Sequence, residues 1–281
     1  FKMSLLQTWY GLSDQKVEQQ VNDRLSFMDF CGVSFSRPAP DSTVLCRFRK
    51  ELTDNGTYDK LLVEINRQLE EHEVIVKQGI IADASITPTT RKPKGKKMYY
   101  LPEGEHTPPL QEVKQKGVDP EASWVKRGNR LSYGYKRHYA VEANHGLVLS
   151  VYTSKASEHE SKHLSSLLDQ LDLSEGAEIL ADKRYSSKAN ESLLHTRGLK
   201  SRIQRKRVKG KRGDHWLGLY NSLIGKRRYK VERVFGSIKS WFKTHGARYV
   251  GSSKTHSQHV LEALSYNLWR APVLYLSACE A

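Results

Sequence analysis

The first quarter of the chain places hydrophobic residues at the three- and four-residue spacing of amphipathic helices. Leu61, Ile65 and Leu69 recur every four positions, and Ser13 stands where it can cap another helix. We therefore predict a helical N-terminal region over residues 1–75. Several short helices joined by tight turns are typical of a small DNA-binding domain, although such a bundle could equally be a scaffold.

After residue 76 the pattern changes to short apolar runs that favour β-strands. The runs at 79–86 and 177–181 are each marked by one carboxylate, Asp83 inside the first and Asp182 directly after the second. Between them, an Asn-His-Gly turn at 144–146 separates two β-rich runs, which predicts an antiparallel hairpin.

The segment 88–130 holds six prolines and no sustained period, so it predicts a long loop. Helices are predicted near 161–173, 186–198, 226–243 and 254–270. The order of strand, hairpin, helix, strand, helix, strand and helix predicts an α/β fold, in which a mixed sheet is flanked by helices. This order matches a ribonuclease H-like core over residues 76–281.

The helix predicted near 226–243 carries one acid beside its apolar face. At about 100° per residue, Arg228, Glu232 and Lys239 lie within about 40° of one another. Two basic residues therefore flank one acid on a common stripe. Taken alone, Arg228 and Glu232 could also be an ordinary ion pair on a surface helix.

Positive charge is concentrated in one part of the chain. The net charge is +15, and residues 200–248 hold 16 of the 46 basic residues but only two acidic ones. Such focused charge favours a polyanionic partner, and nucleic acid is the leading candidate. A highly soluble basic protein without such a partner is the alternative.

The remaining composition indicates a cytoplasmic protein. Three cysteines without C-x-x-C spacing predict neither a disulfide framework nor a structural zinc site, and no apolar stretch is long enough to span a membrane. The chain starts with Phe1 in a helical pattern and without a signal-peptide order, so we expect it to begin inside a longer protein.

The acids suggest metal-dependent phosphoryl transfer. This chemistry needs carboxylate oxygens that hold two divalent cations about 3.5–4 Å apart. A carboxylate in an apolar strand is costly without a partner, so Asp83 and Asp182 suggest coordination. Each aspartate alone could also sit at a solvated strand end.

Three blocks of the chain resemble one family. IIADASIT, ILADKRY and RRYKVERVFGSIK, which contain Asp83, Asp182 and Glu232, are similar to the catalytic blocks of bacterial insertion-sequence DDE transposases, of the insertion sequence 5 group. WYGLSD, DSTVLCRFRKEL and YGYKRHYAVEANHG extend the resemblance over nearly the whole chain.

The resemblance implies that Asp83, Asp182 and Glu232 hold two Mg²⁺ ions, or Mn²⁺ in their place. One ion would bind Asp83 and Asp182, and the other Asp83 and Glu232. The implied activity is cleavage of terminal inverted repeats and strand transfer into target DNA. Synapsis of two ends implies a homodimer on double-stranded DNA.

The resemblance also implies basic residues that contact DNA. Arg228 and Lys239 match the family's Tyr-x2-Arg-x3-Glu-x6-Lys signature, whose tyrosine is replaced here by Gly225. Arg184 stands where a glycine is common, and a long cation near the metals would clamp a phosphate or obstruct it. From the basic runs and the hairpin we also expect DNA contacts from Lys136, Arg205, Lys206 and Arg207.

Two other functions remain open at this point. A ribonuclease H-like nuclease would cut a nucleic acid without joining it. An inactive remnant of a transposase would bind inverted repeats without cutting them.

Overall fold

The computed structural model describes residues 1–95, 99–100, 111–112, 115–207 and 215–279. The N-terminal region forms α1 (Lys2–Tyr10), α2 (Asp14–Asp23), α3 (Leu25–Cys31), α4 (Ser42–Asp54) and α5 (Thr57–Glu71). Ser13 Oγ caps α2 by accepting from Lys16 N at 3.2 Å. The predicted helices are confirmed here, whereas their binding of DNA stays a prediction.

The sheet has the predicted mixed architecture. Its strands and a separate two-stranded pair are β1 (Gly79–Pro88), β2 (Tyr99–Tyr100), β3 (Gln111–Glu112), β4 (Ser123–Arg127), β5 (Arg130–Glu142), β6 (Val148–Lys155), β7 (Glu178–Ala181) and β8 (Lys200–Ile203). In the main sheet β1, β7 and β8 are parallel neighbours. β5 pairs antiparallel with β1, β4 and β6, which confirms the predicted hairpin at 144–146.

Helices cover both faces of this sheet. They are α6 (Leu164–Leu168), α7 (Lys188–Thr196), α8 (His215–Trp241) and α9 (Ser252–Cys279). α6 is shorter than the predicted helix at 161–173, and α8 starts well before the predicted residue 226. Across the described residues, none of the helices combines the length and apolarity needed to span a lipid bilayer.

The predicted loop at 88–130 is wrong for three short segments, since it contains the paired strands β2 and β3 and the strand β4. Residues Ser123–Arg127 form β4, which pairs with the start of β5 through five residue pairs. This strand is mostly exposed and has no apolar run, so its stability comes from pairing with β5 rather than from local sequence. Residues 96–98, 101–110 and 113–114 of the predicted loop lie outside the described residues.

Alternation along β1 decides which way its acid faces. Ile81 packs in the cluster that contains α8 and α9, whereas Ile80 and Ala82 pack against α6 and α7 on the opposite face. Because strand side chains alternate between faces, Asp83 lies on the face of Ile81, beneath α8. Leu62 of α5 belongs to the same cluster, so an N-terminal helix shares this core.

Candidate active site

Three elements bring the three acids to one place. Ala82 of β1 lies opposite Ala181 of β7, so the next residues, Asp83 and Asp182, stand side by side on neighbouring parallel strands. Glu232 comes from α8. All three line one open cleft of about 950 Å³, called here the acidic cleft, which is also lined by Ala84, Ser85, Arg127, Arg228, Phe235, Gly236 and Lys239. Their role as metal ligands stays a prediction.

Asp83 is a partly buried acid of the site, and both of its carboxylate oxygens accept hydrogen bonds. Its side chain is 18% exposed; Oδ1 accepts from Ala84 N at 2.7 Å, and Oδ2 accepts from Arg228 Nη2 at 2.7 Å. Burial raises the pKa of Asp83, while the Arg228 guanidinium and the Ala84 N–H oppose this rise. The carboxylate therefore depends on a neighbouring cation.

The basic residues that the sequence placed beside Glu232 also line the acidic cleft. Arg228 is buried, and its guanidinium donates to Asp83 Oδ2 and, from Nη1 at 3.4 Å, to Gln204 Oε1. Lys239 Nζ donates to Ser85 Oγ at 2.8 Å, and burial lowers the pKa of Lys239. The stripe predicted on this helix thus faces β1, with Arg228 bound to an acid of the site.

Arg184 and Lys136 lie elsewhere. Both contact Glu160 Oε1 at 3.2 Å, and they line a neighbouring cavity, called here the Glu160 groove, together with Ile86, Val125, Lys126, Arg127, Ser157, Glu158 and His159. The Arg184 guanidinium is paired with Glu160 and does not line the acidic cleft, and its contact with a DNA phosphate stays a prediction. Lys136 is only 5% exposed, so its contact with DNA stays a prediction.

The basic run after β8 lies on the surface outside the acidic cleft. Arg205, Lys206 and Arg207 are all exposed. The Arg205 guanidinium lies 5.1 Å from the ring centre of Tyr220, and Lys206 Nζ donates to Ser186 O at 3.0 Å. Residues 208–214, which include the rest of the run, lie outside the described residues.

Sequence reasoning missed one charged residue of the acidic cleft. Arg127 ends β4 inside the segment predicted as a loop, and it lines both the acidic cleft and the Glu160 groove. The alternation of exposed Trp124, Lys126 and the intervening residues is too short to predict a strand. Its position depends on pairing with β5.

In the acidic cleft, the Asp83 carboxylate is already bound to the Arg228 guanidinium. In the described part of the chain, no group of three or more histidine, cysteine, aspartate or glutamate side chains is arranged to hold a metal ion. The oxygen donors are nonetheless of the kind that Mg²⁺ and Mn²⁺ prefer. A cation at Asp83 Oδ2 would compete with the Arg228 guanidinium for this oxygen.

A mixed sheet with acids on two adjacent parallel strands and on a covering helix defines a class of proteins with a ribonuclease H-like fold. The Transposase DDE domain family model matches residues 75–268, and the Transposase domain (DUF772) model matches residues 1–51. The chain belongs to the DDE transposase family.

One relative extends this similarity over most of the chain. The Transposase for insertion sequence element IS1106 of Neisseria meningitidis serogroup B is 31% identical over 227 residues, which are 80% of this chain and 76% of that protein. No solved structure matches significantly. Membership in the insertion sequence 5 group stays a prediction.

Proposed function

We propose that this chain cuts the terminal inverted repeats of an insertion sequence and joins the released 3′ end to target DNA. The carrying observation is that Asp83, Asp182 and Glu232, which are far apart in sequence, line a single open cleft. Membership in the DDE transposase family and a net charge of +15 support DNA as the substrate.

The same three carboxylates are the proposed ligands of two divalent cations. Asp83 would be shared, with Asp182 on one side and Glu232 on the other. Bound cations would activate the attacking oxygen and stabilise the leaving oxygen of the phosphodiester. The fit rests on hard oxygen donors and on Asp83, whose partly buried carboxylate is already paired with a positive charge.

The chain supplies the positioning around this chemistry. Asp83 is fixed by pairing of β1 on both sides and by the Ala84 N–H. Arg228 and Lys239 are held on the same helix as Glu232, so they would contact phosphates close to the cut bond. Arg205, Lys206 and Arg207 would bind phosphates farther along the DNA.

We further propose that the active form is a homodimer that pairs two ends of the element in the cytoplasm. The two alternatives retained from the sequence predict different products. A nuclease releases cut ends without joined products, and an inactive remnant gives a stable complex without cleavage.

The test uses labelled duplexes that carry the terminal repeats of the element encoding this chain. We expect nicked and joined products with Mg²⁺ or Mn²⁺, none with Ca²⁺, and none from Asp182→Asn. Asp172→Asn is the matched control, because it removes one charge from an exposed position outside the acidic cleft. Equal cleavage by the wild type and Asp182→Asn would contradict the proposed site.

A further inference from the structure

The β4–β5 hairpin places the Arg127 side chain at the rim of the acidic cleft. β4 and β5 pair from Ser123↔Gly134 to Arg127↔Arg130. The rings of Trp124 and Tyr133 pack 5.1 Å apart on this arm. Arg127 therefore ends a paired strand and is not part of an unsupported loop.

The backbone of β5 approaches β1 closely at Gly134, which fixes the β4–β5 hairpin against β1. A Cβ added at Gly134 would lie 2.2 Å from Thr87 O and 2.8 Å from Pro88 Cα. Only glycine allows β5 to pass β1 at this distance, four residues beyond Asp83. The base of the hairpin is thus tied to the strand that carries the central acid.

Arg127 differs in its partners from Arg228 of the acidic cleft and from Arg184 and Lys136 of the Glu160 groove. Arg228 is paired with Asp83, and Arg184 and Lys136 share Glu160. Among the described residues, no hydrogen bond or ion pair engages the exposed guanidinium of Arg127. Its five N–H donors are therefore open to a ligand in solution.

The position of Arg127 defines what that ligand meets. It is shared by the acidic cleft and the Glu160 groove, so a chain that runs from one to the other passes its guanidinium. A guanidinium binds a phosphate through two parallel hydrogen bonds and carries no information about base sequence.

We infer that Arg127 binds a backbone phosphate of the DNA strand being cut, next to the phosphate held in the acidic cleft, and directs that strand into the Glu160 groove. This inference rests on the proposed function, because it takes DNA as the substrate. It adds a phosphate-binding residue outside the family signature and assigns a role to the hairpin.

The test compares Arg127→Gln with Arg130→Gln. Both variants remove one positive charge from the same hairpin, but Arg130 lines neither cavity. Binding of a repeat-end duplex is measured in Ca²⁺ at several salt concentrations. We expect Arg127→Gln to bind about tenfold more weakly and to lower the salt slope by about one, and Arg130→Gln to stay close to the wild type.

A set of duplexes, each with one neutral methylphosphonate near the cut position, then locates the contact. At one position, the methylphosphonate should weaken DNA binding by the wild type but not by Arg127→Gln. For Arg127→Lys, the loss of binding at that position should be intermediate. Identical binding profiles for Arg127→Gln and the wild type would overturn the inference. If the wild type cleaves its ends while these profiles are identical, only the inference fails; if the wild type does not cleave, the proposed function fails.

Discussion

Two arginine–carboxylate pairs, one fully and one partly buried, join helices to the same sheet, and they differ in what surrounds them. Arg137 of β5 pairs with Glu262 of α9, and each side chain is 2% exposed. Arg228 of α8 pairs with Asp83 of β1, where the exposed fractions are 8% and 18% and the pair opens into the acidic cleft.

The Arg137–Glu262 pair, called here the inner pair, is enclosed by its neighbours. Gln258 donates to Glu262 Oε1 at 2.8 Å, and the Arg137 guanidinium lies 5.8 Å and 5.7 Å from the ring centres of Tyr139 and Phe235. Because both side chains are almost fully buried, exchange of Arg137 for a cation from solution would require this core to open. The Arg228–Asp83 pair, in contrast, borders the open acidic cleft, so we expect that a cation from solution can replace its guanidinium. We therefore predict a role in stability for the Arg137–Glu262 pair and a role in function for the Arg228–Asp83 pair.

The largest expected effect is the difference in activity and stability between variants of Glu232 in α8 and of Glu262 in α9. Glu232→Gln should lower strand cleavage by about a thousandfold or more, because a ligand of the proposed cations loses its charge. Its melting temperature should stay within about 1 °C of the wild type, since Glu232 is exposed. A melting temperature of Glu232→Gln well below that of the wild type would show that Glu232 stabilises the fold.

Glu262→Gln should show the opposite behaviour. Removal of one partner leaves Arg137 buried without a counter-charge, which costs about 3–5 kcal/mol of unfolding free energy. Urea unfolding of the full chain measures this loss. Stability equal to that of the wild type would show that the inner pair does not hold the core.

Arg228→Gln sharpens the comparison through metal binding. Without DNA, Mn²⁺ should raise the melting temperature of this variant more than that of the wild type, because no guanidinium competes for Asp83. Cleavage should nevertheless fall by about 10- to 100-fold, since a phosphate contact is lost. Arg184→Gln is the control, because its guanidinium contacts Glu160. An equal Mn²⁺ response in Arg228→Gln and the wild type would refute the competition.

The smallest expected effect concerns a buried neutral histidine. Burial lowers the pKa of His138 from 6.5 to about 3, and its ring contacts Tyr185 and Ser154. Below pH 6.5 the unfolded chain binds the proton and the folded chain does not, so stability falls as the pH falls towards 3. At pH 5.5 this group accounts for about 1.4 kcal/mol.

This loss is measured by urea unfolding at pH 8 and pH 5.5. His138→Gln should lose about 1.4 kcal/mol less than the wild type between the two values, while buried His259 responds equally in both. An unchanged pH dependence would show that His138 is already protonated in the folded chain.

The elements of the site followed from sequence because their signals are local. An apolar run around Asp83 predicted β1, and the spacing of apolar residues around Glu232 predicted the helix that covers it. Partners of these side chains were beyond such reasoning. Arg228 and Asp83 are 145 positions apart, and only the packing of α8 on β1 brings them together.

The missed features have the same physical origin. β4 is too short and too exposed to show a pattern. It forms because β5 extends beyond the end of β1, and the start of β5 pairs with it. Arg184 follows Asp182 by two positions, but its ion-pair partner could not be identified from the local sequence. Glu160, 24 positions away, draws it aside.

The central claim is that Asp83, Asp182 and Glu232 together capture divalent cations. The most direct measurement is anomalous scattering from crystals of the full chain bound to a repeat-end duplex and Mn²⁺. The account predicts two peaks about 3.5–4 Å apart among the three carboxylates, with Arg228 displaced from Asp83. Ordered carboxylates without a Mn²⁺ peak between them, and with Arg228 still bound to Asp83, would contradict it.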